Sequence, residues 1–305
     1  MKKILSFISI VFMVGLFLYV NADDELLKEL ESYLPQESVE TTEGDQELID
    51  IEYDINKHPD NYVLLNDGKM KLDKSDKHQL DKRGTKTAWV NYKGLDRLGR
   101  GQDVQALLTC ELVFKQSSKV TERPDFSSSV GVAGQYKDGR LDRVKETWRG
   151  EESNNTELHL PNHNGYLYNK SHTLAWSLGG SMGTENVTLG TRRQNVGSND
   201  ADGGGMGYPE TTIRNQFYNE IGLNDMTKAE AQSMTPEQAC EKSNTKVYYD
   251  VDPVYQDDEL VPRGTHVRAY SINDDGETIN MNLWVFNTQP YVDINYADGT
   301  FTVNQ

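Results

Sequence analysis

The sequence predicts an α+β fold in which antiparallel sheet dominates and the helices are segregated from it. Residues 246–305 alternate apolar and polar side chains in four segments, with turns at Asp274-Asp275-Gly276 and Asp298-Gly299. This pattern is typical of antiparallel strands, here at 246–250, 266–271, 280–287 and 292–296. The helix signals lie earlier, between residues 211 and 244.

Shorter strand signals precede the helices. Residues 87–92 predict a strand that ends at a Lys-Gly turn, and residues 102–109 predict a strand or a short helix. Residues 130–136 predict a central strand beside a tight turn, and residues 167–172 predict a strand. Residues 173–178, before a Gly-Gly break, fit either helix or loop.

Two helices are predicted from start and stop signals. Residues 211–221 follow Pro209 and end at Gly222, which is typical of a helix terminus. Residues 235–244 begin with a threonine suited to the N-cap and a proline at the first helical position.

The N-terminus predicts export. Two lysines precede an apolar run at residues 4–20, and Val-Asn-Ala at 20–22 has the small-residue pattern of a signal-peptidase site. We therefore expect residues 1–22 to be a signal peptide and the protein to be secreted, with no stable membrane association after cleavage. Because the apolar run is near the length needed to span a bilayer, a retained anchor at the cell surface is the alternative.

The acidic charge is concentrated near the N-terminus. The chain of 305 residues has a formal net charge of −17, and residues 23–60 contain 14 acidic residues against two lysines. This composition predicts an acidic flexible linker at 23–60, followed by one domain at 61–305. Residues 85–225 hold 16 basic and 17 acidic residues, so a local basic groove is compatible with the overall charge.

Cys110 and Cys240 are the two cysteines of the chain. An exported protein with two cysteines is able to form one disulfide, but separate buried thiols fit the sequence equally well. Neither cysteine has a second Cys or a His at ligand spacing, which argues against a cysteine-based metal site.

Residues 165–199 carry the densest set of chemically useful side chains. His172 is suited to general-base catalysis near neutral pH. Asparagine oxygens are hard ligands suited to Mg²⁺, and the pair Arg192 and Arg193 is suited to holding a phosphate. These parts are the ones needed to hydrolyse a phosphodiester, although asparagines also cap turns in many loops.

Ordered motifs in this region resemble those of a known family. Residues 167–172 are LYNKSH, 178–180 are LGG, 185–186 are EN, 190–195 are GTRRQN, and 204–210 are GGMGYPE. The set is similar to the DNA/RNA non-specific endonucleases, whose core is a ββα-metal finger, and most similar to their streptodornase-like branch of secreted streptococcal DNases. Residues 92–100, 247–264 and 280–296 resemble further segments of that branch.

The resemblance implies a role for each matching residue. His172 would be the general base, Asn195 the direct protein ligand of Mg²⁺, and Glu210 would act through waters on the ion or by positioning its helix. Asn186 is assigned a weaker catalytic role, in orienting the loop or a metal-bound water. The implied phosphate contacts are Arg192, Arg193 and Lys170, and Mn²⁺ is expected to substitute for Mg²⁺. The family's common Asp-Arg-Gly before the histidine is here Asn169-Lys170-Ser171, and Lys170 lacks the bidentate fork of arginine.

The resemblance also implies a fold and an activity. The expected core is a ββα-metal site within residues 165–221 on a mainly antiparallel sheet, with the closing strands at 246–305. The expected activity is Mg²⁺-dependent, sequence-nonspecific hydrolysis of extracellular DNA that leaves 5′-phosphate ends, with RNA left open as a second substrate. The alternatives are a membrane-anchored nuclease for DNA uptake and an inactive nucleic-acid-binding surface protein of the same fold.

Overall fold

A large antiparallel sheet forms the centre of the molecule. The computed structural model describes residues 38–39, 45–161, 163–197 and 203–304, and the predicted signal segment lies outside them. In the described chain the main sheet has seven strands, all antiparallel except the first pair. In sheet order they are β1 (Ser38–Val39), β2 (Tyr62–Leu65), β13 (Asn280–Phe286), β12 (Gly264–Ser271), β11 (Lys246–Val254), β4 (Val104–Thr109) and β3 (Trp89–Tyr92).

Both faces of this sheet are covered, so its central strands are apolar on both sides. Along β4, Ala106 and Leu108 face one core while Leu107 between them faces another, as the two-residue period of a strand requires. The first core packs against helices α2 (Cys110–Lys115), α4 (Gly207–Glu220), α5 (Lys228–Ser233) and α6 (Pro236–Ala239). The second core packs against helix α1 (Lys74–Arg83).

A separate hairpin stands beside the sheet. Strands β9 (Tyr168–His172) and β10 (Val187–Thr191) pair antiparallel, and helix α3 (Arg192–Val196) follows directly. The hairpin has its own small core, which includes Leu167, Val187 and Leu189. Strand, strand and helix thus follow one another in the order that a ββα finger requires.

Three shorter hairpins accompany it. The C-terminal pair of β14 (Val292–Ile294) and β15 (Phe301–Val303) packs on the core of the β9–β10 hairpin, and the Tyr168 hydroxyl donates to the Gly299 carbonyl at 3.0 Å. The other two are formed by β5 (Arg140–Asp142) with β6 (Thr147–Arg149), and by β7 (Glu157–Leu160) with β8 (His163–Tyr166).

Most of the predicted elements are confirmed. The antiparallel C-terminal strands, the strands near residues 89 and 168, and a helix that starts at Pro236 are all present, although this helix already ends at Ala239. Residues 102–109 contain strand β4, and residues 173–178 form a loop that ends in a short 3-10 helix at Trp176–Leu178. Helix α4 begins earlier than predicted, at Gly207, and includes Pro209 in its first turn, where the missing N–H costs no helical hydrogen bond.

The predicted central strand at residues 130–136 is wrong. This segment is an irregular loop, with a left-handed glycine at Gly134 (φ +77°). A Cβ placed on Gly131 would lie 2.0 Å from the Trp148 carbonyl oxygen, so glycine is needed there for a close approach of two backbones. The apolar residues Val130 and Val132 still contribute to the core of the β9–β10 hairpin.

The predicted flexible linker is wrong for its last part, residues 45–60. A 3-10 helix at Asp45–Asp50 places Leu48 in a core with Trp284 and Phe286. The Asp45 carboxylate lies 2.6 Å from His266 Nδ1 on β12. Residues 45–60 therefore belong to the folded unit, and the predicted domain boundary at residue 61 lies inside that unit.

The two cysteines are bonded to each other. Cys110 at the start of α2 and Cys240 after α6 form a disulfide with a Cα–Cα distance of 5.8 Å, which closes a sequence separation of 130 residues. Of the two alternatives that the sequence left open, a disulfide or two separate buried thiols, the structure shows the disulfide. Among the described residues, no helix is long and apolar enough to cross a membrane.

Candidate active site

A cavity of about 690 Å³ lies where the β9–β10 hairpin meets helices α3 and α4. It is lined by strand β9, by both helices and by the loop around Trp176. The charged and polar residues central to its chemistry are Arg123, Lys170, His172, Asn195, Glu210 and Arg214. The fold thus brings the predicted base, metal ligand and supporting carboxylate to one cavity, together with the predicted phosphate contact Lys170.

His172 is held rigidly at the end of β9. It pairs in register with Val187 on β10 and is 8% exposed. Its ring stacks on Phe126 with a centroid distance of 4.8 Å, and its Nε2 lies 3.2 Å from the Met182 sulfur. The ring orientation is therefore fixed by packing on one side and by a soft sulfur contact on another.

The pKa of His172 is lowered to about 4, first by burial and then by the positive charge of Arg123. At neutral pH the imidazole of the metal-free protein is therefore neutral, with a nitrogen that is able to accept a proton, although it is a weaker base than a free imidazole.

Asn195 is presented by the single turn of α3. The Thr191 hydroxyl caps this helix by accepting from the Gln194 backbone amide at 2.9 Å. Asn195 lines the cavity, and its Oδ1 accepts a hydrogen bond of 3.2 Å from the Ser171 hydroxyl on β9. The strand that carries His172 therefore also contacts the carboxamide of Asn195.

Glu210 lies in the first turn of α4. It retains some accessible surface through the cavity but is otherwise enclosed by protein, and this desolvation raises the pKa of its carboxyl to about 8. Arg214 and Arg123 act on the pKa in the opposite sense, but burial outweighs them. A carboxylate in this position gains from any cation that enters the cavity.

Three cationic side chains line the described part of the cavity. Lys170, whose pKa is lowered by burial, donates to the Val130 carbonyl and lies 5.7 Å from the centre of the Phe126 ring. The Arg214 guanidinium donates to the hydroxyls of Ser177 and Thr211. The third cationic side chain is that of Arg123. Lys170 is one of the phosphate contacts predicted from the sequence, whereas Arg123 and Arg214 are not.

The two arginines differ in how far the sequence could have revealed them. Arg214 lies on the predicted helix at 211–221, and Glu210 stands just before its predicted start. The four-residue spacing becomes a signal once the helix is known to begin at Gly207, because the two side chains then share one face. Arg123 lies in a segment without periodicity and carries no such signal.

Two predicted site residues have structural contacts instead. Asn186 is fully buried, and its carboxamide bonds the backbone of Leu174 in both directions and the Ser181 carbonyl. It therefore orients the loop that follows His172, which is one of its two implied roles, and it does not line the cavity where a metal-bound water would lie.

Arg193 is turned away from the cavity. It is 3% exposed and donates to the Tyr53 hydroxyl at 3.0 Å and the Pro59 carbonyl at 2.6 Å. The predicted phosphate contact of Arg193 is therefore wrong, because its guanidinium is hydrogen-bonded to residues of the N-terminal segment 45–60. Arg192, the other member of the pair, does not line the cavity either.

The N-terminal segment supports the two helices that carry Asn195 and Glu210. The Gly205 amide donates to the Asp60 carbonyl at 2.8 Å, next to the contact between Arg193 and Pro59. A Cβ at Gly205 would lie 2.3 Å from the Gln194 carbonyl oxygen, so the turn before α4 packs closely on α3.

The donor set at the cavity fits a hydrated, hard divalent cation. Within the described residues, no group of three or more His, Cys, Asp or Glu side chains is placed to hold a metal. One amide oxygen from Asn195 and one enclosed carboxylate from Glu210 suit an ion that keeps several waters, as Mg²⁺ does.

Two antiparallel strands followed by a helix, with His172 and Asn195 facing one cavity, form the ββα arrangement that the sequence motifs predicted. No family model matches the chain. A curated deoxyribonuclease from Streptococcus dysgalactiae subsp. equisimilis is 34% identical over 144 residues, which is 47% of this chain. The chain covers 36% of that relative's length.

Two solved structures extend the comparison. The Sda1 nuclease with bound zinc ion is 27% identical, with a TM-score of 0.60, and the match covers 83% of this chain and all of that one. NucA from Streptococcus agalactiae with magnesium ion bound is 18% identical, with a TM-score of 0.52, over 80% of this chain and 88% of that one, and it shows the fold alone. The resemblance found in the sequence is confirmed: the chain is similar to a streptococcal deoxyribonuclease and to the Sda1 nuclease.

Proposed function

We propose that this protein is a secreted, Mg²⁺-dependent, sequence-nonspecific endonuclease that hydrolyses DNA phosphodiester bonds. The observation that carries the proposal is the convergence of His172, Asn195 and Glu210 on one cavity that cationic side chains also line. The similarity to a deoxyribonuclease and to the Sda1 nuclease supports it.

His172 is the general base of the proposed reaction. Its neutral imidazole accepts a proton from the water that attacks phosphorus, and the bond from phosphorus to the 3′-oxygen breaks. The leaving 3′-oxygen takes a proton from a water molecule, so the products are a 5′-phosphate and a 3′-hydroxyl. When bound by Asn195 and by waters on Glu210, Mg²⁺ supplies positive charge that stabilises the charge developing on the phosphate and the leaving oxygen. Mn²⁺ accepts similar oxygen ligands and is expected to substitute.

The cationic side chains give the proposed site its attraction for nucleic acid. Lys170, Arg123 and Arg214 contribute positive charge around the cavity of an otherwise acidic protein. Contacts to phosphate carry no base information, so cleavage is expected to be independent of sequence. DNA is the proposed substrate, and digestion of RNA and of single-stranded DNA would define the preference.

The test is plasmid digestion by the mature protein with Mg²⁺ and with EDTA. His172→Ala and Asn195→Ala are expected to lose cleavage by at least about 100-fold. His78→Ala is the matched control, because His78 is exposed on α1, which packs on the opposite face of the main sheet. Undiminished cleavage by His172→Ala, or full activity in EDTA, would contradict the proposal.

A further inference from the structure

Ser171 lies between two cavity residues but faces away from the cavity. Strand alternation puts Lys170 and His172 at the cavity and turns Ser171 toward α3. Ser171 is 1% exposed, and its hydroxyl reaches Asn195 Oδ1 at 3.2 Å. The contact joins the strand of the proposed base to the helix of the proposed metal ligand.

The hairpin leaves room for this serine. Gly190 stands on β10 beside it, and a Cβ at that position would lie 2.7 Å from the Ser171 Cβ and 1.9 Å from Gln194 Oε1. Any larger residue at 190 would displace Ser171 or the helix that carries Asn195. The glycine thus preserves the short distance between β9 and α3.

The hydrogen bond from the Ser171 hydroxyl fixes the position of Asn195 Oδ1, the atom that would bind a cation. A carboxamide oxygen has two lone pairs, so Asn195 Oδ1 is able to accept from the serine and still face an ion. Rotation of the amide would exchange this oxygen for an NH₂ group, which repels a cation. Contacts of this kind, made to a ligand rather than to the metal, commonly change metal affinity by about 10–100-fold.

We propose that Ser171 is a positioning residue whose hydroxyl orients the Asn195 carboxamide and thereby sets the affinity of the site for a divalent cation. The proposal rests on the proposed function, because it takes Asn195 as the cation ligand. It assigns Ser171 an effect on cation binding and no direct part in the chemical step.

The test measures Mg²⁺ binding without DNA, by calorimetric titration of the full mature protein, and then the Mg²⁺ dependence of plasmid cleavage. Ser171→Ala is expected to weaken Mg²⁺ binding by about 10-fold or more. The Mg²⁺ concentration for half-maximal cleavage should rise by the same factor, while the rate at saturating Mg²⁺ stays close to that of the parent protein.

Ser271→Ala is the matched control, since Ser271 is a fully buried serine on β12 whose hydroxyl bonds Asp274 and the Ile279 backbone. It is expected to lower thermal stability and leave Mg²⁺ affinity unchanged. Ser171→Cys keeps a weak donor of similar size and should bind Mg²⁺ with intermediate affinity, which provides a second folded variant.

The outcomes separate the two proposals. If Asn195→Ala leaves Mg²⁺ binding and cleavage unchanged, the ligand assignment in the proposed function fails. If Asn195→Ala abolishes binding but the folded Ser171 variants bind Mg²⁺ like the parent protein, only the role of Ser171 is overturned. A lower rate at saturating Mg²⁺ with unchanged affinity would also overturn it.

Discussion

Glu210→Gln is expected to abolish cleavage and, in the absence of metal, to make the protein more stable at neutral pH. The pKa of the Glu210 carboxyl is raised from 4.5 to about 8 by burial. The folded state therefore holds the proton more tightly than the unfolded chain does. Its stabilising contribution is fully present below pH 4.5 and is lost as the pH rises through about 8.

The magnitude follows from the size of this shift. One pKa unit corresponds to about 1.4 kcal/mol. Binding the proton that Glu210 keeps in the folded state therefore costs about 3 kcal/mol of stability at pH 7, and ionisation of the buried carboxyl costs about 5 kcal/mol above pH 8. Glutamine has a similar shape without the charge, and relief of about 3 kcal/mol corresponds to a rise in Tm of roughly 6–12 °C for a domain of this size. The accessible surface that Glu210 retains relieves part of the cost, so these figures are upper limits.

The assay is thermal unfolding in EDTA at pH 4.5 and pH 7, with Glu220→Gln as the matched control on the same helix. The Glu220 carboxylate accepts hydrogen bonds from Gln216, Ser243 and Thr245, so its replacement should not stabilise the protein. The stabilisation by Glu210→Gln should appear at pH 7 and vanish at pH 4.5. A Tm for Glu210→Gln that is equal to or below that of the parent protein at pH 7 would refute the reasoning.

Three further outcomes are expected. The His172 imidazole should titrate near pH 4 in NMR spectra of the metal-free protein, because burial and Arg123 lower its pKa, and a midpoint near 6.5 would contradict this. Joint replacement of Cys110 and Cys240 by alanine should lower the free energy of unfolding by about 5 kcal/mol, because the disulfide closes a long loop. Urea denaturation measures this change, and a value below about 1 kcal/mol would show that the disulfide contributes little to stability. Arg193→Ala should lower the free energy of unfolding by about 3 kcal/mol with little effect on the KM for DNA, whereas Arg214→Ala should raise that KM. If cleavage kinetics show the reverse pattern, Arg193 is a phosphate contact after all.

The strands of the fold are predictable from the sequence where alternation and glycine turns provide local signals. In strand β12, buried and less buried residues alternate from Thr265 to Ser271. The loop at residues 130–136 resembles a strand in sequence, because its valines are buried by a hairpin distant in the chain and its glycines serve close backbone contacts. The segment 45–60 resembles a linker because its charge suggests solvation. Its core contacts are made by one short stretch, where Leu48 is buried and Ile49, Ile51 and Tyr53 are partly buried.

The site is predictable where a motif fixes both residue type and position. His172, Asn195 and Glu210 lie at one cavity, as the resemblance implied. Asn186 and Arg193 have suitable chemistry for the site but bond to backbone carbonyls, and residue type does not distinguish these uses. Arg123 reaches the cavity from a loop without periodicity, so only the folded chain reveals it.

Pro59 and Asp60 contact α3 and the turn before α4, and these contacts limit how far the chain can be truncated from its N-terminus. A fragment that starts at residue 61 would contain every named side chain of the cavity but would lack the carbonyls that hold Arg193 and Gly205. Proteolysis in this acidic segment would thus act on the alignment of Asn195 with Glu210 while leaving both residues in place. The segment 45–60 is therefore part of the scaffold of the cavity, although none of its residues lines it in the part of the chain that the structure describes.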